Sequence, residues 1–452
     1  MRTAPDRTRP PPLGTPRPPV VPVVQRAELA CGLPVLVVER RALPVVDVRL
    51  VLPGGAAADP AGAEGCAALT AATLDEGSER RTGPELAAAL GLLGAGYRAF
   101  ADWHETVLSL HVLSPGLDAA IRLFTEIVRT PVFPAEAVAR RRAQRAASLR
   151  QDRDDPGITA ARVLARAIYG GHRYGTAAAG TPASVESLTR DQLVASHART
   201  FGPRHGFLVV AGDVALPSLI PLLDDAFGDW IGGAAWGRVA PSPTAGGASV
   251  HVVDRPGAPQ SELRVGHAGP SRSSPDYFPL IVGNAILGGA FTSRINLVLR
   301  EQKGLTYGAR TGFAFRRDGG PFGASVAIQT DATADAVGDI LDAMEALRLA
   351  PPSESELDRA QSWLALGLPR GLETAGSVAD RVADIESHGL GDDYLARFVE
   401  RVGMVSAEGV RAAAHRHLQP ARASVALVGD LARIRKPLES LGRAEVRAED
   451  AP

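Results

Sequence analysis

The sequence predicts an α+β protein built from two homologous domains, and three observations support this prediction. At 452 residues, the chain exceeds the length at which a single hydrophobic core usually stops growing. Segments with the two-residue period of strands alternate with segments that have the 3.6-residue period of helices. The chain also repeats itself weakly, at an interval of about half its length, which is typical of a duplicated domain.

Three anchors carry this repeat, in the same order and nearly in register. Any one of them could arise by chance, but three in sequence indicate duplication. The paired segments are 38–50 with 253–265 at an offset of 215 (253 − 38), Arg-Ala-Gln at 142–144 with 359–361 at 217 (359 − 142), and V-V-A-G-D at 209–213 with A-L-V-G-D at 426–430 at 217 (426 − 209).

The alternation of strands and helices is readable in each copy. Residues 35–52 give two strand-like runs around a turn at 40–44, and residues 104–113 alternate as a half-buried strand should. Apolar residues recur at helical spacing over 117–128 and 334–349. Prolines at 134 and at 351–352 then interrupt the chain before the next helices.

The domain boundaries follow from composition. A Gly/Ala/Pro/Ser-rich segment at 231–249 has the composition of a linker. We predict a disordered Pro/Arg-rich tail at 1–24, an N-terminal domain at 25–232, a linker at 233–248, a C-terminal domain at 249–440 and a second tail at 441–452.

Charge and composition narrow the function classes. The formal net charge of −1 provides no basic field for nucleic acid or an anionic membrane. The two cysteines, Cys31 and Cys66, are too few for a disulfide framework or a thiolate zinc site. The N-terminus lacks the apolar region of a signal peptide, and no apolar stretch approaches the roughly 20 residues of a membrane-spanning helix. We therefore expect a cytoplasmic protein.

The strongest motif lies at 287–310 and reads L-G-G-A-F-T-S-R-I-N-L-V-L-R-E-Q-K-G-L-T-Y-G-A-R. A Gly-Gly pair opens a loop, residues 293–301 form a helix, Gly304 stops it, and the chain is extended from Thr306. This motif closely resembles the C-terminal-half signature of the pitrilysin/insulinase family of zinc peptidases. Arg300 is thereby expected at a helix end and Tyr307 at a strand start.

Other segments are similar to the same family over roughly residues 25 to 440. They are the acidic run and Pro at 153–156, the helix and Tyr-Gly-Gly-His-Arg-Tyr-Gly ending at 175, V-V-A-G-D at 209–213 and D-R-P-G-A-P-Q at 254–260. The resemblance implies that each domain is a mainly antiparallel sheet packed with helices, and that the two domains form half of a clamshell.

The resemblance also implies roles for the two motif side chains. In the family, the matching Arg and Tyr reach across a closed chamber to a peptide held at the zinc of the other half. Tyr307 would donate to the oxyanion of the tetrahedral intermediate, and Arg300 would bind a substrate carbonyl or orient the tyrosine. Without the resemblance, Arg300 would be read as a surface residue of a helix and Tyr307 as a half-buried residue of a strand, neither with a chemical role.

The family's zinc motif is missing. Peptidase subunits carry H-x-x-E-H on their first long helix, where two His bind zinc and Glu acts as general base. The corresponding helix reads G-C-A-A-L-T-A-A-T-L at 65–74, with Ala68 and Ala72 at the His positions and Ala71 at the Glu position. The third-ligand position, near Ala147 or Ser148, also lacks a metal ligand.

No replacement site stands out among the ten histidines. His415 and His417 fit a solvated helix end that points them in different directions, and His104-Glu105 is interpreted as surface polarity. Cys66 lies beside the vanished motif, but small buried cysteines are common. The chain itself is expected to bind no metal.

The resemblance then implies a division of labour. Our first hypothesis is a non-catalytic subunit, inactive alone, of a heterodimeric zinc endopeptidase that processes peptides. Its partner would be a homologous chain with an intact H-x-x-E-H motif and the zinc. The rival hypotheses are a catalytically inert peptide-binding or structural scaffold of the same fold and, with little support from the residues, a hydrolase with a novel site. The sequence does not indicate which peptide is cleaved.

Overall fold

Two six-stranded β-sheets organise the protein, one in each half of the chain. The computed structural model describes residues 20–233 and 247–450. The strands in these residues are β1 (Gln25–Glu28), β2 (Pro34–Glu39), β3 (Val45–Pro53), β4 (Gly96–Ala101), β5 (Glu105–Leu113), β6 (Phe207–Gly212), β7 (Val250–Asp254), β8 (Gln260–Ala268), β9 (Ala309–Phe313), β10 (Pro321–Gln329), β11 (Ser424–Gly429) and β12 (Val446–Glu449).

The two sheets place five equivalent strands in the same order and differ in the sixth, because β1 is antiparallel to β2 whereas β12 is parallel to β7. The N-terminal order is β1-β2-β6-β3-β5-β4, and the C-terminal order is β12-β7-β11-β8-β10-β9. Most neighbouring strands are antiparallel, and the parallel pairs are β2–β6, β7–β11 and β7–β12. The predicted α+β class, with two homologous and mainly antiparallel sheets, is therefore confirmed.

The central strand of each sheet is inserted from far along the sequence. Strands β2 and β3 flank the predicted turn at 40–44, yet β6 lies between them and pairs with both. Strand β11 separates β7 from β8 in the same way. Both inserted strands are buried along their whole length, which explains why F-L-V-V-A-G and S-V-A-L-V-G are almost uninterrupted apolar runs.

Helices cover the sheets. They are α1 (Cys66–Ala71), α2 (Gly83–Leu92), α3 (Leu117–Arg129), α4 (Ala135–Gln151), α5 (Pro156–Tyr169), α6 (Pro182–Ser187), α7 (Arg190–Thr200), α8 (Leu216–Phe227), α9 (Tyr277–Asn284), α10 (Arg294–Asn296), α11 (Thr333–Leu349), α12 (Glu354–Gly367), α13 (Ala375–Ser387), α14 (Tyr394–Gly403), α15 (Ala407–His417) and α16 (Leu431–Ser440). Two π-helical segments, Ala285–Gly289 and Leu297–Gln302, continue α9 and α10.

The helices begin at the prolines and occupy the segments that the sequence predicted. Helix α4 begins directly after Pro134. Helix α12 begins after the Pro351-Pro352 pair, with Ser353 as N-cap in a capping box with Glu356. The helices predicted at 117–128 and 334–349 are α3 and α11.

Each half of the chain lends one helix to the sheet of the other half. Helix α5 comes from the N-terminal half but packs on β8 and β11, where Val163 and Val428 share a hydrophobic cluster. Helix α13 comes from the C-terminal half but packs on β3 and β6, where Val378 and Val209 share another. The two sheets are thus joined by exchanged helices. No single boundary in the sequence separates the residues that pack on one sheet from those that pack on the other.

The predicted tails need correction. Within the predicted tail at 441–452, residues 446–449 form β12, which pairs with β7 and buries Val446. Within the predicted tail at 1–24, Val21 and Val24 pack against the cluster under α13. The reason for the C-terminal pairing is that β7 has backbone groups that need partners on its outer side, and β12 supplies them. Residues 1–19 and most of the predicted linker lie outside the described residues.

One stretch, Tyr277–Gln302, is long and apolar enough by composition to cross a membrane, although the sequence was expected to hold no such stretch. More than half of it is buried in the C-terminal domain, and residues 290–293 interrupt its helix. A core helix meets the same criteria, so this stretch is weak evidence for a membrane span.

Candidate functional site

Helix α1 contains the positions at which the family motif would bind zinc. All six of its residues are buried. The carboxylate of Asp59 caps its first turn by accepting hydrogen bonds from the N–H groups of Gly65 and Ala67, each at 2.8 Å. Arg173 forms an ion pair with the same carboxylate at 3.4 Å. Burial raises the pKa of Asp59 to about 6.

The three motif positions carry only methyl groups. Ala68 and Ala71 are buried, and Ala72 is partly buried. A methyl group has no lone pair for a metal and cannot accept a proton. Helix α1 therefore packs as part of the N-terminal core and offers no metal ligand from these positions.

The surroundings of α1 do not replace the missing ligands. Ala147 and Ser148 are exposed on α4, while Arg140 and Arg141 of the same helix form ion pairs with Glu76, a few residues after α1. Across residues 20–233 and 247–450, no group of three or more His, Cys, Asp or Glu side chains is arranged to hold a metal ion. The residues present do not fit zinc.

His104 is buried and Glu105 is partly buried at the contact between the two domains, so the interpretation as surface polarity is wrong. The His104 Nε2 atom lies 2.6 Å from the Tyr174 hydroxyl oxygen, and burial lowers the pKa of His104 to about 4. Glu105 accepts hydrogen bonds from Arg317 and Ser387, both at 2.9 Å. The alternating pattern indicated the strand, but only the tertiary fold brings residues near 317 and 387 over its beginning.

The other candidates behave as structural residues. Cys66 is buried, and desolvation raises the pKa of its thiol, which disfavours the reactive thiolate. His415 is exposed at the end of α15, whereas His417 contacts Asp276 through Nε2 at 2.7 Å. The prediction of a helix end with divergent histidines agrees with this arrangement.

The segment that holds Arg300 and Tyr307 is a helix followed by a projecting loop. The predicted helix at 293–301 is present as α10 with its π-helical continuation to residue 302. Gly304 ends it with a φ of 64°, a conformation that favours glycine. Gly288 and Gly289, which were expected to open a loop, instead close the π-helical segment after α9. Tyr307 lies two residues before β9, close to the predicted strand start.

Two asparagines fasten this loop at its base. The Asn296 side chain accepts from the N–H of Ala309 at 2.8 Å and donates to the carbonyl oxygen of Ala309 at 2.9 Å. The Asn284 side chain donates to the Thr311 carbonyl at 3.1 Å and accepts from its hydroxyl at 2.8 Å. Both fix the start of β9 against the helices. Sequence analysis missed them, although a polar amide within an apolar helical run was a usable signal.

Tyr307 is exposed to solvent, whereas Arg300 is only partly exposed. Tyr307 is 96% exposed. The Arg300 guanidinium lies over the Phe291 ring at 4.0 Å, and its Nη1 atom is buried without a hydrogen-bond acceptor in the described residues. Glu301 is 3.3 Å from Nη1 in an ion pair that lacks hydrogen-bond geometry. The segment therefore presents two polar donors, one exposed and one unsatisfied.

Comparisons with known proteins agree with this architecture. The sequence profile described as insulinase (peptidase family M16) matches residues 35–181, and the one described as peptidase M16 inactive domain matches residues 187–364. Together they cover more than two thirds of the chain.

Two individual relatives are also similar to this chain. A Mycobacterium bovis protein named as an uncharacterized zinc protease is 27% identical over 362 residues, which are 79% of this chain and 82% of that protein. The Helicobacter pylori non-peptidase homolog YmxG is 24% identical over 194 residues, 43% of this chain and 45% of that protein.

The crystal structure of a peptidase M16 inactive domain from Pseudomonas fluorescens matches with a TM-score of 0.84 at 29% identity, covering 90% of this chain and 98% of that one. The sheet topology, the alanines of α1 and the segment at 300–307 are thus found in a chain that belongs to the insulinase family, peptidase family M16, as a member of its inactive type.

Proposed function

We propose that this chain is the Arg/Tyr-bearing, non-catalytic subunit of a two-chain zinc endopeptidase. The zinc belongs to the partner, a homologous chain with an intact H-x-x-E-H motif. This chain completes the chamber that encloses the peptide and contributes polar groups in trans. By itself it is inactive.

The exposure of Tyr307 is the observation that carries this proposal. A tyrosine that is 96% exposed, in a loop whose base is fastened by the amides of Asn284 and Asn296, is held in a defined place without being used by its own domain. Tyrosine usually buries its ring and keeps only its hydroxyl near water. An exposed ring on an anchored loop is suited to contact a group outside the subunit.

The chemistry of the pair suits a peptide carbonyl. When water attacks that carbonyl, negative charge develops on its oxygen, and the Tyr307 hydroxyl donates a hydrogen bond to it. Arg300 binds a neighbouring carbonyl through the exposed part of its guanidinium, since the side chain is 32% exposed. Donors placed where charge develops are valuable, since removing one typically lowers the rate by about 10²–10³.

The names of the relatives support a proteolytic assembly with an inert member. One is named a zinc protease and another a non-peptidase homolog. In this chain, Ala68, Ala71 and Ala72 leave the motif helix without ligands, so a catalytic metal has to come from a second chain. The exposed edge of a sheet in that second chain would take the peptide as an added strand.

The test is hydrolysis of dye-labelled unfolded casein by this chain co-expressed with a homologue that carries H-x-x-E-H. We expect the lone chain to be inert and the pair to be active. Tyr307→Phe should lower kcat of the pair at least tenfold without changing its assembly, because it removes only one exposed hydroxyl. Arg300→Ala should chiefly raise KM, because it removes a group that binds the peptide. Arg411→Ala, at a surface arginine of α15 that pairs with Glu408, is the matched control.

Two results would contradict the proposal. If the pair cleaves casein equally well with both substitutions, the scaffold hypothesis replaces it. If the lone chain binds stoichiometric zinc and cleaves casein, the chain has a site that its motif positions do not explain.

A further inference from the structure

A large cavity lies in the C-terminal domain, away from α1. It has a volume of about 810 Å³, which falls within the range of sites that bind small molecules or short peptide segments. Helices α9, α12, α13 and α14 and the turn at 368–372 form its walls. Such a volume holds several amino-acid side chains, so a single water or ion would not fill it.

The walls of the cavity are aromatic and partly open to solvent. Tyr277, Trp363, Tyr394 and Phe398 line it. Trp363 is 51% exposed and its neighbour Leu366 is 56% exposed. Large apolar side chains that line a cavity and remain half exposed are typical of a surface that an apolar ligand covers.

The charges around the cavity are unbalanced. Its lining contains three arginines, Arg359, Arg370 and Arg381, against one acid, Asp358. Within residues 20–233 and 247–450, the guanidinium groups of Arg359 and Arg370 form no hydrogen bond or ion pair. The Arg381 guanidinium forms an ion pair only with Asp384, at 3.8 Å. An excess of positive charge on an apolar wall favours a ligand that carries carboxylates.

A fourth arginine, Arg272, lies behind two of the tyrosines that line the cavity. Arg272 is 7% exposed, and its guanidinium stacks on the Tyr277 ring at 3.5 Å and donates to the Tyr394 hydroxyl at 2.7 Å. No carboxylate oxygen of the described residues lies within ion-pair distance of it. A buried cation without a carboxylate adds to the positive potential at the cavity wall.

The cavity is continuous with the Arg300 segment. Thr292 lines the cavity, and the preceding residue, Phe291, carries the stacked guanidinium of Arg300. A peptide bound at Arg300 would therefore lie close to the Thr292 wall of the cavity. This continuity favours a peptide over an unrelated metabolite as the occupant.

We propose that this cavity binds an acidic segment of unfolded peptide, with large apolar side chains against the aromatic walls and carboxylates on Arg359 and Arg370. The choice of a peptide rests on the proposed function. The assignment extends that function, because it makes this chain select substrates that carry acidic and apolar residues together. The selection takes place away from the bond that is cleaved.

The test uses fluorescence anisotropy of labelled, end-blocked peptides with the lone full-length chain. The probes are Glu-Phe-Leu-Glu-Leu and its basic counterpart Lys-Phe-Leu-Lys-Leu. We expect the acidic peptide to bind at least tenfold more tightly and to weaken as salt is raised. The double variant Arg359→Ala/Arg370→Ala and the single variant Trp363→Ala should each lower its affinity tenfold or more. These residues are exposed, so the fold should survive.

Controls separate this inference from the proposed function. Arg411→Ala should leave peptide binding unchanged, since Arg411 does not line the cavity. Equal binding of both peptides, or no effect of the arginine variants, would overturn the inference while the casein assay still stands. Tighter binding of dodecanoate than of the acidic peptide, lost in Trp363→Ala, would assign the cavity to a small amphiphile and would equally overturn it.

Discussion

Helix α1 and the segment from α9 to β9 occupy equivalent places in the two domains, yet they have opposite character. Strands β5 and β10 begin 216 residues apart (321 − 105), and at this offset Ala68 corresponds to Asn284. The N-terminal position is a buried methyl group, whereas the C-terminal amide grips Thr311 at the start of β9. The same architecture thus became a packing element in one domain and the support of an exposed loop in the other.

This difference separates a buried region from an accessible one. In the N-terminal domain, every residue of α1 is buried in the core. In the C-terminal domain, the equivalent segment leaves Tyr307 exposed and Arg300 partly exposed. Three changes would break or sharpen this comparison.

The largest effect is expected from restoring the acid of the zinc motif. Ala71 is 1% exposed, so Ala71→Glu forces a carboxylate into an apolar core and should lower the free energy of unfolding by more than about 4 kcal/mol. Ala147→Glu, on the exposed face of α4, is the control and should change it by less than about 0.5 kcal/mol. Urea denaturation measures both. Equal stability of the two variants would mean that position 71 on α1 can accommodate a solvated carboxylate.

A smaller effect is expected from acid, because burial lowers the pKa of imidazoles in both domains: His104 and His197 in the N-terminal domain and His267 in the C-terminal domain. Burial lowers the pKa of His104 and of His267 to about 4, so the unfolded chain binds more protons than the folded protein between about pH 4 and pH 6.5. Stability should therefore fall as the pH is lowered through this window, by up to about 3 kcal/mol for each group.

The His267 contribution can be isolated. Its Nε2 atom accepts from the Gln419 N–H at 3.1 Å, and protonation removes that acceptor. His267→Gln should flatten the loss of stability between pH 6.5 and pH 4.5 in urea titrations. Asp59, with its raised pKa of about 6, stabilises the folded protein as the pH falls and so acts in the opposite direction. The quantity to compare is therefore the difference in unfolding free energy between His267→Gln and the wild type at each pH. An unchanged slope in His267→Gln would contradict this account.

The smallest effect tests the exchanged helices. Val378→Ala on α13 and Val163→Ala on α5 remove similar buried groups, 0% and 2% exposed, and each should cost about 2 kcal/mol. Hydrogen exchange should show that Val378→Ala loosens β3 and β6 and that Val163→Ala loosens β8 and β11. If each substitution instead loosened only its own half of the sequence, the helix exchange would be wrong.

Sequence patterns predicted the helices and strands well where the signal was local. The prolines before α4 and α12, the alternation in β5 and the helical spacing of α3 all depend on neighbours in the chain. The placement of Arg300 at a helix end and of Tyr307 near a strand start followed from the same kind of signal. The proposed roles of both residues remain predictions.

Patterns were insufficient where contacts join distant residues. His104-Glu105 appeared to be surface polarity because Tyr174, Arg317 and Ser387 are 70 or more positions away. The segment at 446–449 appeared to be a tail because its partner, β7, lies about 196 positions earlier (446 − 250). The periodicity of apolar residues along the chain does not reveal such long-range pairings.

The sequence by itself determined the duplication, the alternation of strands and helices, and the absence of metal ligands at Ala68, Ala71 and Ala72. These properties depend on which atoms a residue has and on its near neighbours. Only the tertiary structure decided the exchange of α5 and α13, the burial of His104, the exposure of Tyr307 and the arginine-rimmed cavity. Each of these arises because burial and charge balance are set by residues that folding brings together from far along the chain.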